Sequence, residues 1–219
     1  MKLALAVIVL LVACADHKQR KIEEPTGGSG SQGSAMQKGS GNVGNASVTV
    51  TVVGTKPGRP PVDRLLVDVQ LKNDDPAPRW VLIPSKLPPE NGGGVDKLEQ
   101  LTVPAGTTTI AVGRFLGRAG TYAVKLAPGA RLTMHKLELS WWRENNEKEA
   151  AFDVQLANEV KLGDASMTTW FDKDPAISGA ADVDMDAAKH TRSQKSPTGD
   201  EVPLVAEQAT SAPIHLAAP

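Results

Sequence analysis

From Ser47 the hydrophobic and polar positions alternate. Val48, Val50 and Val52 fall on one side of an extended backbone, with Thr49 and Thr51 on the other. A period of two built from β-branched residues specifies a half-buried strand. The alternation is clearest through Leu65, Val67, Val69 and Leu71, with Leu66, Asp68 and Gln70 between them. Shorter strands are expected over 80–83, which Pro84 closes, and over 98–103, 107–116 and 120–126. In the last of these Tyr122, Val124 and Leu126 share a face. Pro128-Gly129 then turns the chain into 131–142, where the phase breaks. Leu132 and Met134 agree with each other, but Leu137, Leu139 and Trp141 lie in the opposite phase. One extra residue near His135 restores a single inward face, and that is the signature of a β-bulge. Phe152, Val154 and Leu156 predict a further strand, with weaker ones near 160–162 or 167–171.

Turn chemistry separates these runs. Gly54 to Pro61 is rich in glycine and proline, Asn73-Asp74-Asp75-Pro76 ends the second strand, and 85–94 (SKLPPENGGG) is a loop. Asn and Asp accept local backbone hydrogen bonds and proline presets φ, so these stretches are turns with a mechanism. Proline or glycine interrupts nearly every helical window, so no amphipathic helix is expected. Short strands, about seven to nine, with turn signals roughly every 8–12 residues, predict one immunoglobulin-like antiparallel β-sandwich over 47–171.

Composition adds the flanks. From Gly27 to Gly44 the chain is rich in glycine and serine, with little to bury. Segment 14–46 therefore reads as a flexible linker with a reach on the order of 30 Å. After Asp172 aromatics vanish, and 172–219 carries eight acidic against four basic residues. A segment of this kind is expected to be a disordered acidic tail, because it offers little apolar area to offset the entropy of ordering. The net charge is −1, from 24 basic and 25 acidic residues. No segment is basic enough to track a phosphate backbone, which excludes nucleic-acid binding as an expectation.

The start of the chain points to export. Lys2 precedes a continuous apolar run from Leu3 to Leu11, and the lone cysteine follows at Cys14. A basic start and a short apolar run form a secretory signal; a membrane span needs about 20 apolar residues. Leu11-Val12-Ala13-Cys14 resembles the bacterial lipobox. The resemblance implies that 1–13 is removed as a signal peptide and that Cys14 carries acyl chains as the first residue of the mature protein. It also implies sorting to the outer membrane or cell surface, since Ala15 stands where an aspartate would favour the inner membrane. A single cysteine permits no intrachain disulfide. The neighbouring Lys18, Arg20 and Lys21 read as solvated rather than as lipid contacts.

Catalytic signatures are missing: no G-x-S-x-G, H-E-x-x-H, P-loop or G-x-G-x-x-G between a strand and a helix. Of His17, His135, His190 and His215, only His135 falls in the expected domain. A Ser-His-Asp site could be built around it, but a packed or surface role is the expectation. Asp182-x-Asp184-x-Asp186 copies the first half of a calcium loop, yet Ala187 replaces its glycine and Ser193 its closing glutamate. Asn73, Asp74 and Asp75 could face calcium at one end of a sandwich, but local turn bonding accounts for them. No cofactor or metal is expected. Trp141-Trp142 is the informative pair, because adjacent strand residues look to opposite faces. Trp141 shares its phase with Leu137 and Leu139; Trp142 shares a polar face with Glu138 and Ser140. Trp142 is thus the candidate partner contact. The expected function is a non-enzymatic, lipid-anchored envelope module that binds or scaffolds a protein or glycan. The alternatives are a protease inhibitor presenting loop 85–94 and an envelope hydrolase with an unrecognised site.

Overall fold

Alternating segments become strands, and the strands extend beyond both expected boundaries. The computed structural model describes residues 38–87, 93–118, 120–142 and 148–217. The first half of the described chain holds β1 (Lys38–Val43), β2 (Ala46–Lys56), β3 (Val62–Asn73), β4 (Arg79–Pro84), β5 (Lys86–Leu87), β6 (Gly94–Val95), β7 (Lys97–Ala105) and β8 (Thr108–Leu116). Then come β9 (Thr121–Leu126), β10 (Arg131–Trp142), β11 (Glu149–Ala157), β12 (Glu159–Leu162), β13 (Ala165–Ser166) and a one-turn helix, α1 (Met167–Trp170). The C-terminal part adds β14 (Ala180–Asp184), a 3-10 turn over Met185–Ala187, β15 (Lys189–Lys195), β16 (Val202–Glu207) and β17 (Thr210–Ala217).

Two sheets make a β-sandwich. The first runs β1-β2-β3-β10-β14, with the short β5 also on β10. It is antiparallel from β1 to β10, while β14 and β5 lie parallel to opposite ends of β10. The second runs β15-β7-β8-β9-β4-β11-β17 and is antiparallel throughout. Between them lie the inward rows read from the alternation: Val48, Val50 and Val52 of β2, and Leu65, Val67, Val69 and Leu71 of β3. These pack against Val103, Val112, Val124 and Phe152 of the second sheet.

The second sheet is covered on its other face as well. Trp80, Leu82, Leu98, Phe115 and Ala123 form a separate apolar cluster with Val160, Met167 and Phe171, and the Trp80 and Phe171 rings lie 6.0 Å apart. A small sheet, β13-β12-β16-β6, borders this cluster. This explains why 80–83 reads as an unbroken apolar run: Val81 and Ile83 face one core, Trp80 and Leu82 the other.

Both expected boundaries need correction. The linker was expected to run to residue 46, but β1 pairs with β2 from Lys38↔Thr51 to Val43↔Ala46, and Val43 is buried. The glycines that give this stretch its linker composition have a packing role. A Cβ on Gly39 would collide with the His215 carbonyl of β17, so the first sheet can close on the second only with glycine there. The tail expected to be disordered supplies β14 to β17. Val183, Ile214 and Leu216 enter the inner core, and Ile177 bridges to Leu126. An edge strand needs one short apolar stripe and a ready ladder of hydrogen bonds, and average composition registers neither. Ser34–Pro219 accordingly forms one compact unit. Cys14 and the expected signal segment 1–13 lie outside the described residues. Among the described residues no helix is long and apolar enough to cross a membrane.

Candidate functional site

The outward face of β10 carries the residues that the sequence singled out. Trp141 is fully buried, and Trp142 is 49% exposed opposite Val62 of β3. Ser140 and Glu138 precede Trp142 on the same face, with Arg64 across from Ser140. The Glu138 carboxylate lies 3.4 Å from both Lys56 and Arg64. The result is a flat strip on which one indole stands among paired charges. An indole on such a face offers an apolar plate and an N–H donor.

Further along β10 the expected bulge is present. Register with β3 shifts between Met134 and Leu137, and Lys136 adopts a φ of 55°. Lys136 Nζ lies 2.6 Å from Asp184, its backbone N–H donates to Asp68 at 3.1 Å, and His135 Nδ1 lies 2.8 Å from Asp68. His135 Nε2 also approaches Asp182, at 2.9 Å. Asp186 completes the set, 3.3 Å from Lys56. The hydrogen bond to Asp184 holds the Lys136 ammonium above its ordinary pKa, and the same contact holds the Asp184 carboxyl below its own. Asp184 and Asp186, read from sequence with Asp182 as half of a calcium loop, therefore face lysines of this chain, Asp182 faces the His135 ring, and the set docks β14 onto β10. Among the described residues no three groups gather to hold a metal ion.

A third charged group was not foreseen. Glu99 of β7 is 3% exposed and points inward with Leu101 and Val103. It bonds Arg114 Nε at 2.7 Å and pairs with Lys97 at 2.5 Å, and His190 stands 3.5 Å away. Burial pushes the Glu99 carboxyl up, but the hydrogen bonds from Lys97 and Arg114 outweigh it and leave the pKa below the ordinary value. Burial raises the pKa of Tyr122, and its hydroxyl donates to the Glu138 carbonyl at 3.2 Å. Lys56, Arg114, Tyr122, Lys136, Glu138 and Asp186 line a cleft of about 320 Å³. A general acid needs a pKa raised towards neutrality, and the pairing moves Glu99 the other way. The available signal was one polar residue in an inward phase with Lys97 two positions before it on the same face; Arg114 and His190 come from neighbouring strands, which the sequence does not display.

The chain matches no family model, no curated protein and no solved structure.

The remaining candidates have local explanations or lie elsewhere. Asn73 is buried, and its amide donates to the carbonyls of Ala77, Leu126 and Ala127 at 3.0–3.2 Å. Asp75 accepts from the Ala77 N–H at 3.0 Å and pairs with Arg79 at 3.0 Å, while Asp74 pairs with Lys72. These groups build the turn. Loop 85–94 is described only at its ends: Leu87 pairs with Trp141 of β10, and Gly94 with Pro203 of β16. Residues 88–92 lie outside the described residues. Finally, segment 171–182 crosses the β7–β8 hairpin over a crevice of about 710 Å³, to which Gln100, Thr109 and Asp174 contribute polar groups.

Proposed function

We propose that this protein is a non-enzymatic binding or scaffolding module of the cell envelope, held at a membrane by lipid on Cys14. In this reading a protein or glycan partner docks on the outward face of the first sheet. The observation that carries it is Trp142: half exposed, at the end of a flat polar strip, with Arg64 and Ser140 beside it. Aromatic residues placed this way dominate binding energy at many interfaces. The strip's charges are paired within the chain, so a partner would meet hydrogen-bonding groups already oriented.

The test is recovery of a partner from crosslinked envelope by the full mature chain, compared with Trp142→Ala. Binding should weaken by at least about 10-fold, as loss of an aromatic anchor worth roughly 1–2 kcal/mol requires. Equal recovery by both proteins would remove Trp142 from the contact surface. A second reading, loop 85–94 offered to a protease, draws support from the pinning of both its ends on strands. Dose-dependent loss of a protease's activity in the presence of the mature chain would favour it.

A further inference from the structure

His135 sits between two carboxylates on different strands: Nδ1 is 2.8 Å from Asp68 of β3 and Nε2 is 2.9 Å from Asp182 of β14. A neutral imidazole has one N–H and one lone pair, whereas the protonated ring donates from both nitrogens. Only the protonated ring satisfies both carboxylates; in the neutral ring a lone pair faces a carboxylate oxygen at hydrogen-bonding distance.

The surroundings decide which proton leaves. Asp68 is the more sheltered carboxylate, 26% exposed against 73% for Asp182, and the Lys136 N–H also fixes it. The Nδ1 proton therefore stays with Asp68 and the Nε2 proton departs. The hydrogen bond that breaks is the one crossing to β14.

β14 is a five-residue edge strand laddered to β10 alone. Val183 is its buried side chain. The charged groups around the ring are Asp68 from β3, Lys136 on β10, and Asp182 and Asp184 from β14. Asp186 and Lys56 stand one step further out. Imidazole is the one side-chain type in this cluster whose ordinary titration falls between pH 5 and 8. His190, in the adjoining cleft, faces Glu99 instead.

We propose that His135 is a proton-operated clasp for β14. Protonated, it ties β14 to the body of the first sheet and keeps closed the wall of the 710 Å³ crevice formed by Ala180, Ala181 and Asp182. Deprotonated, it gives up that tie and β14 opens more often. The hydrogen bond donated to Asp68 holds the imidazole above its ordinary pKa against the effect of partial burial. Because the folded value is the higher one, the tie is complete below about pH 6.5 and is lost as pH rises through the folded value. The Asp182 carboxylate is well solvated, so the effect is several-fold rather than orders of magnitude.

Hydrogen exchange on the full mature chain between pH 5.5 and 8.5, corrected for intrinsic rates, reads the docking directly. Protection of amides 180–184, referenced to those of β3, should fall several-fold from pH 6 to pH 8. His135→Gln should give low protection without that slope. His135→Arg, permanently charged, should protect more than the native chain at pH 8. His190→Gln should keep the native slope. Protection independent of pH in the native chain, a slope that survives in His135→Gln, or no gain from His135→Arg at pH 8 would each overturn the proposal.

Discussion

Adjacent side chains on a strand look to opposite faces, and Trp141 and Trp142 turn that rule into a measurable contrast. Trp141→Ala should cost roughly 3–5 kcal/mol through lost burial and a cavity, read from denaturant unfolding. Trp142→Ala should change stability by about 0.5 kcal/mol or less, as surface substitutions do. Large and equal losses would mean that β10 is buried on both faces. Glu99 presents the opposite situation, a charge inside. Glu99→Gln leaves Arg114 and Lys97 without their counter-charge and should cost roughly 3 kcal/mol, the low end for a buried pair because both cations keep access to water. Its pKa lies below the unfolded value, so the unfolded chain takes up the proton first as pH drops. The contribution is therefore intact above about pH 4.5 and lost as pH falls through the folded value. Glu99→Gln should flatten that part of the acid unfolding profile. The inward phase of Glu99 was visible beside Leu101 and Val103. Lys97, two residues earlier on the same face, was visible too, but Arg114 was not, since it arrives only through the Glu99↔Arg114 pairing of β7 with β8.

At the scale of elements, the C-terminal strands carry the sharpest expectation. Ile214 and Leu216 are fully buried in β17, and Ile214 lies beside the glycines of β1. Ile214→Ala should cost about 2–5 kcal/mol. Ending the chain after Glu207 should lower the melting temperature further, because the second sheet then loses an edge and the first loses the backbone that β1 packs against. Unchanged melting after that truncation would make β17 an ornament. β15 is built on another principle: all seven residues are exposed, and Lys189, His190, Arg192 and Lys195 are basic. Charge on an edge strand discourages pairing with other chains. The bulge of β10 was legible as a phase break. Its use was not: it turns both His135 and Lys136 towards the aspartates of β14, and residues nearly 50 positions apart meet only in the folded chain.

For the molecule as a whole, the folded unit and the proposed anchor at Cys14 are tested by different experiments. A chain beginning at residue 34 should melt at the same temperature as the mature protein, whereas 47–171 alone should not unfold cooperatively, as calorimetry would show. The anchor is tested apart from the fold. Cys14→Ala should abolish acyl-chain labelling and release the protein from the membrane fraction, since acyl chains hold at about 0.8 kcal/mol per buried CH₂. Full membrane association in that variant would remove Cys14 as the attachment point.

What the sequence determined by itself was the sandwich: its central strands, their inward faces, the bulge and the opposed tryptophans. These follow from a period of two, and periodicity is a local property that a core of Val, Leu and Phe enforces. Tertiary structure alone decided the edges. Strands β1 and β14 to β17 are rich in glycine, alanine or charge and look like linker or tail when averaged over a window. They order because a formed sheet offers them hydrogen bonds, a narrow apolar stripe and, at His135 and Lys136, opposite charge. Those gains exist only once distant segments are side by side.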